Sequence, residues 1–244
     1  VEVSIILDKS RSISQIFIAD NGVGMNIEDL EACLSFGGGR NIGTTQEGRL
    51  GKFGLGLPYS SCNQSTKYSV VAWQNGISTA AAVERDHESY GPKDPVFPAE
   101  STSYTFTNND KIIFKSYLSE NSGVIVKWER IDKNKVPALP STLLKHIDFF
   151  LGRIYRKFIE NGTLQLKLRI LLDNGYKVHL EEERDVKLND PLYLTEGNCL
   201  PKEYSEQKTN LITEFSSKKI ISDDVPGQKI FEYKEFLEGT EITH

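Results

Sequence analysis

Eight of the chain's 19 glycines fall in one stretch, Ser35 to Gly56, at positions 37, 38, 39, 43, 48, 51, 54 and 56. Glycine loses the most backbone freedom on folding and carries no side chain to pack, so no helix or strand can run through that segment. It must be a long loop, and the rest of the chain has to be built around it. Just upstream, the apolar run Ile13-Ser-Gln-Ile-Phe-Ile-Ala19 ends in Asp20-Asn-Gly-Val-Gly-Met25, a carboxylate and two glycines at the exit of a strand. Just downstream, Leu57 to Asn63 suits a short helix.

The flanking pattern predicts mixed α/β structure. Val3 to Leu7 and Ile13 to Ala19 read as the arms of a hairpin about the polar turn Asp8 to Ser12. Asn26 suits the N-cap of a helix through Leu34, with Glu28 and Asp29 in its first turn. Lys67 to Trp73 and Ile77 to Val83 flank Gln74-Asn75-Gly76, a hairpin turn signal, and further strands are expected at Ser103 to Thr107, Lys111 to Tyr117 and Val124 to Trp128. Pro137 and Pro140 break the pattern and place a domain boundary near Pro140. Beyond it a helix is expected from Ser141 to about Ile159, with Leu144, Ile147, Phe150, Leu151, Ile154, Tyr155 and Phe158 on one side, then strands at Leu164 to Leu172 and Tyr176 to Leu180.

Composition narrows the classes. A formal charge of -5 gives no global attraction to nucleic acid or anionic lipid. Cys33, Cys62 and Cys199 are odd in number and widely spaced, so neither a disulfide framework nor a zinc site is indicated. The four histidines show no metal-ligand spacing, and no apolar run reaches the roughly 18 residues of a membrane span, which points to a cytoplasmic protein. Met25 is the only methionine, so a segment preceding Val1 is expected.

The chemistry concentrates at the two glycine motifs. In Gly51-Lys-Phe-Gly-Leu-Gly56 the glycines allow backbone amides to approach an anion, and the following helix start adds partial positive charge, a combination suited to phosphate. Asp20 can accept a hydrogen bond from an exocyclic amine, and Gly22 and Gly24 leave room for a flat base. Taken singly, the first motif is more often a flexible connection than a ligand site, and the second is a tight turn.

Together, in this order, the two motifs resemble the DxGxG box and the second glycine box of the GHKL ATPases, the superfamily of gyrase, heat-shock chaperones of the ninety-kilodalton class, MutL proteins, MORC proteins and sensor histidine kinases. Asn121-Ser-Gly-Val-Ile-Val-Lys-Trp128 resembles the later GHKL strand written G-T-x-V. Leu151-Gly-Arg-Ile-Tyr-Arg156 with Asp190-Pro-Leu-Tyr193 resembles MORC-like or Hsp90-like bacterial ATPases. The resemblance implies a Bergerat-type two-layer α/β sandwich, a mixed sheet covered by helices on one face, over residues 1–140, followed by a transducer-like α/β domain over 141–244. It implies ATP and magnesium as ligands, with Asp20 on the adenine amine, and Gly22, Gly24 and Met25 lining the base pocket. Gly51, Lys52, Phe53, Gly54, Leu55, Gly56 and Leu57 would lie at the phosphates, and Ser35 to Leu50 would form the ATP lid. Arg40 and Arg49 in that lid are candidates for the γ-phosphate, and Lys202 or Lys208 for a lysine supplied by the second domain. The implied output is a slow, nucleotide-gated clamp that dimerises or joins a larger assembly and acts on DNA or a protein client.

Two departures from the family pattern stand out. The family threonine that supports the adenine-binding acid falls at Val124, which has no hydroxyl. The family's water-activating glutamate and magnesium-holding asparagine sit on a helix expected before Val1, so no catalytic residue and no metal ligand is assigned within the chain. A catalytically inactive scaffold that keeps the fold is the alternative reading.

Overall fold

The computed structural model describes residues 1–37, 53–89 and 99–189, together with the short strands Glu232–Tyr233 and Ile242–Thr243, which pair with each other. The main feature is an eight-stranded mixed sheet. In chain order its strands are β1 (Glu2–Leu7), β2 (Ile13–Asp20), β3 (Ser65–Trp73), β4 (Ala81–Asp86), β5 (Thr102–Ser103), β6 (Gly123–Ile131), β7 (Lys167–Asp173) and β8 (Val178–Asp185). They lie in the order β5-β4-β3-β6-β2-β1-β7-β8, and every neighbouring pair is antiparallel except β1 with β7.

The hairpin at the start forms as expected, its turn held by the Asp8 carboxylate, which accepts from the amides of Ser10 and Ser12. β6 inserts between β2 and β3, so the strand resembling G-T-x-V becomes the direct neighbour of the strand that ends in Asp20. The central strands are buried on both faces. One face packs Val70, Ala72, Val124 and Val126 beneath Leu30 and Leu34. These last two belong to helix α1 (Ile27–Ala32) and the turn after it, and helix α2 (Gly56–Gln64) lies on the same side through Leu57 and Cys62. Full burial of each such aliphatic side chain contributes on the order of 1.5–3 kcal/mol. Asn26 caps α1 as its sequence position predicts, accepting from the Asp29 amide at 2.8 Å.

On the other face Phe17, Val71, Trp73 and Ile125 pack against Ile113 and Phe114 at the end of helix α3 (Asn108–Ile113). Here the sequence expectation needs correction, because Lys111 to Tyr117 is not a strand. Thr107 accepts from the Asp110 amide while Asp110 accepts from the Thr107 amide, a reciprocal capping box that starts a helix in place of the alternation read from the side chains. The expected strand Ser103 to Thr107 shrinks to the two residues of β5, and Ile77–Thr79 forms a 3-10 turn before β4 begins.

The chain divides into two compact units. The first comprises Val1–His146 and Gln165–Asp185, so β7 and β8 complete the sheet begun by β1. The second comprises Ile147–Leu164 and Val186–His244. The helix expected from Ser141 to about Ile159 is two helices, α4 (Pro140–Ile154) and α5 (Arg156–Glu160). Of its expected apolar side, Leu144 is buried, whereas Phe150 and Ile154 are both 55 % exposed. Within the second unit Gly152 lies against the Lys187 carbonyl, whose oxygen would stand only 2.1 Å from a Cβ at that position.

Candidate functional site

Asp20 is the last residue of β2, half-buried at the edge of the face that carries α1 and α2. Its Oδ1 accepts the Gly22 amide at 2.9 Å, and no described residue donates to Oδ2. Burial raises the carboxyl's pKa above the ordinary value, and the Gly22 N–H partly opposes that shift. An acceptor with one free oxygen, partly withdrawn from water and held by its own turn, suits a neutral N–H donor such as an exocyclic amine.

The loop after Asp20 is fixed from both sides. Gln74 Nε2 donates to the Val23 carbonyl at 3.0 Å, and Ser122 Oγ donates to the Gly22 carbonyl at 2.7 Å. Gly24 has φ +69, and a Cβ there would stand 2.0 Å from the Trp73 carbonyl oxygen, so only glycine lets the loop lie against the end of β3. Gly123 is constrained in the same way, since its Cβ would meet the Asp20 carbonyl and the Trp73 ring at 2.6 Å each. Met25 packs against the apolar cluster of the face that carries α1 and α2, as does Leu57. Asp20 and Val124 are direct register partners, so the valine side chain stands beside the acid on the same face of the sheet.

Part of the second motif is described. The Gly37 amide donates to the Gly54 carbonyl at 3.2 Å, which brings the two ends of the glycine-dense segment together. Gly54 has φ +62, and Leu55 is the N-cap of α2 without a side-chain cap bond. The first amides of α2, Gly56 and Leu57, therefore lack intrahelical acceptors and remain donors for an anion. No atom lies within 4 Å of a Cβ built on Gly56, and Phe53 is 72 % exposed. Gly51 and Lys52 lie outside the described residues, as do residues 38–50 of the expected lid with Arg40 and Arg49, and also Lys202 and Lys208.

The fold thus places Asp20, Gly22, Gly24 and Met25 on one loop, and Phe53, Gly54, Leu55, Gly56 and Leu57 at the start of α2, both against the same sheet face. Sequence reasoning missed Gln74 and Ser122. The first was read only as part of a hairpin turn, and the second only as a neighbour of the G-T-x-V strand. Their signal was their position at the end of β3 and just before β6, the two strands next in order on one side of β2, which needs the strand order to be seen.

One motif thus offers an acid oxygen with no donor among the described residues, and the other offers uncapped helix amides. Among the described residues no group of three or more His, Cys, Asp or Glu could hold a metal ion. Also among the described residues, no helix is long and apolar enough to cross a membrane.

Residues 1–112 match the family model described as histidine kinase-, DNA gyrase B-, and HSP90-like ATPase. Residues 1–112 are thus similar to the GHKL ATPases, a superfamily of ATP-binding modules, and the mixed α/β sheet is consistent with that architecture. No curated protein matches the chain.

Proposed function

We propose that the chain is a nucleotide-gated switch, in which ATP bound between the Asp20 loop and the start of α2 changes the protein's association with a second copy or with a larger assembly acting on DNA or a protein client. The observation that carries this reading is the half-buried Asp20, with one oxygen used by Gly22 and the other open, on a loop clamped by Gln74 and Ser122. In it Asp20 accepts from the adenine amine, Gly22, Gly24 and Met25 border the base, and the amides from Phe53 to Leu57 meet the phosphates. Gly51 and Lys52 would continue that phosphate contact. Closure of the segment between Gly37 and Gly54 would then report the γ-phosphate, since those two residues already share a hydrogen bond at its base.

Magnesium, when bound, would neutralise phosphate charge, and slow hydrolysis would use ligands lying outside the described residues. The described residues bind and orient the nucleotide. In this reading the protein works in the cytoplasm, and residues 141–244 other than β7 and β8 begin a transducer-like domain.

Sedimentation velocity with ADP and with a non-hydrolysable ATP analogue tests the switch. A mass increase with the analogue alone supports it. Binding without any change in association would leave the second reading, an inactive GHKL scaffold, which the missing hydroxyl at Val124 favours.

A further inference from the structure

The face of the sheet opposite α1 and α2 carries a cavity of about 340 Å³ that the nucleotide site does not use. Its floor follows from strand register. Ser69 on β3 lies directly between Glu84 on β4 and Lys127 on β6, and one row along, Lys67 lies between Asp86 and Glu129, with Gln15 beyond. Ile6, Phe17, Ile113 and Val178 supply an apolar wall.

Three observations mark this cavity as more than a crevice in the surface. Ser69 is only 7 % exposed and lines the cavity, and no described residue hydrogen-bonds its hydroxyl, which leaves that oxygen open to the cavity. The charge around it is unbalanced: the lining carboxylates of Glu84, Asp110, Glu129 and Asp173 are met by two ammonium groups, Lys127 in the lining and Lys67 beside it. One of these, Lys127, is already taken by Asp110 and by Tyr104, both at 2.5 Å, and the other, Lys67, is shared between Glu84 at 3.2 Å and Glu129 at 3.8 Å. Finally, the local environment already favours cations, since Lys127 Nζ lies 4.9 Å from the Tyr104 ring centroid, 5.4 Å from that of Phe114 and 5.7 Å from that of Phe17. The volume falls within the roughly 300–1,000 Å³ of small-molecule sites and is that of roughly ten waters.

We propose that this cavity is a second ligand site, which takes a small organic cation: a guanidinium or ammonium head held by Glu84, Glu129 and the Ser69 hydroxyl, with a short alkyl stem against Ile113 and Val178. The carboxylates accept charge-assisted hydrogen bonds from the head, and the serine oxygen gains the partner it lacks. The apolar wall sets the ligand's length, and Lys127 with Asp110 closes the inner end against anything longer.

The site is tested by following the amide resonances of Ser69, Glu84 and Lys127 in the full 244-residue chain during titration with butylguanidinium, and in parallel with the uncharged isostere butylurea. Saturable shifts at these three amides with the guanidinium alone are expected. Glu84→Gln, a change at a half-exposed side chain that leaves the fold intact, should weaken binding by about tenfold, the loss of one charge-assisted hydrogen bond. Ser69→Ala should weaken it by a smaller factor, and neither variant should alter binding of an ATP analogue. Equal response to butylurea would show an apolar crevice without cation selectivity. Absence of shifts, or shifts unaffected by Glu84→Gln, would equally overturn the proposal.

Discussion

Asp20 and Val124 stand opposite each other on adjacent antiparallel strands, the acid at the end of β2 and the valine one residue into β6. The sheet therefore brings to the acid a side chain of threonine's shape without its hydroxyl. Val124→Thr restores a donor within the acid's neighbourhood and should tighten binding of an ATP analogue by about threefold to tenfold, in line with a hydrogen bond worth roughly 1 kcal/mol. Because Val124 is 8 % exposed, the same change should lower thermal stability modestly. Calorimetric titration and a melting curve on one preparation check both signs.

Burial raises the Asp20 carboxyl above its ordinary pKa, so the folded protein holds that proton more tightly than the unfolded chain does. The sign follows: the ionised form costs stability, and that cost appears as pH rises through the interval between the ordinary carboxylate value and the raised folded one. Asp20→Asn keeps an oxygen for the Gly22 amide and removes the charge. It should melt higher than the parent at neutral pH, with the gain vanishing in acid below the ordinary carboxylate value. Melting curves at several pH values would contradict this if the difference stayed constant or grew in acid.

Gly24 has two reasons to be glycine, its positive φ and the Trp73 carbonyl 2.0 Å from the place of a Cβ. Gly24→Ala should displace the loop and cost about 1–3 kcal/mol in denaturant unfolding, with loss of nucleotide affinity. Gly76 shares the positive φ but has open space around its Cβ position, so Gly76→Ala should cost less and leave nucleotide binding unchanged.

Lys127 and Asp110 form an ion pair whose side chains are 11 % and 7 % exposed. Burial alone would raise the Asp110 pKa, and the Lys127 contact reverses this and lowers it, so the pair's contribution is present at neutral pH and lost as pH falls through the lowered value. Removing one partner leaves a buried charge. Lys127→Met should destabilise by about 3–5 kcal/mol, whereas Lys127→Met with Asp110→Asn should recover a large part of that loss. Equilibrium unfolding of both variants checks the difference.

Much of the site was legible in the sequence because its residues act through local backbone. The strand before Asp20, the Asn26 cap and the helix start at Gly56 each depend on neighbours within four residues, and each forms as the pattern indicates. What escaped depends on strand order. Gln74 and Ser122 reach the Asp20 loop across about 50 and 100 residues of chain only because β6 pairs with β2 and β3 follows next in the sheet. β7 joins β1 in parallel, a pairing that no adjacent turn announces, so a boundary placed at Pro140 on the evidence of prolines did not anticipate that Gln165–Asp185 returns to the first unit. The segment Lys111 to Tyr117 failed for the opposite reason: a local capping box outweighed an apolar pattern that served tertiary packing.

The central claim is that Asp20 reads the base of a bound nucleotide. Titrating the 244-residue chain and its Asp20→Asn variant with a non-hydrolysable ATP analogue, followed calorimetrically, tests it most directly. The account predicts saturable binding by the parent and at least about tenfold weaker binding by a variant that remains folded. Equal affinity for the two proteins, or no binding by the parent, would contradict it.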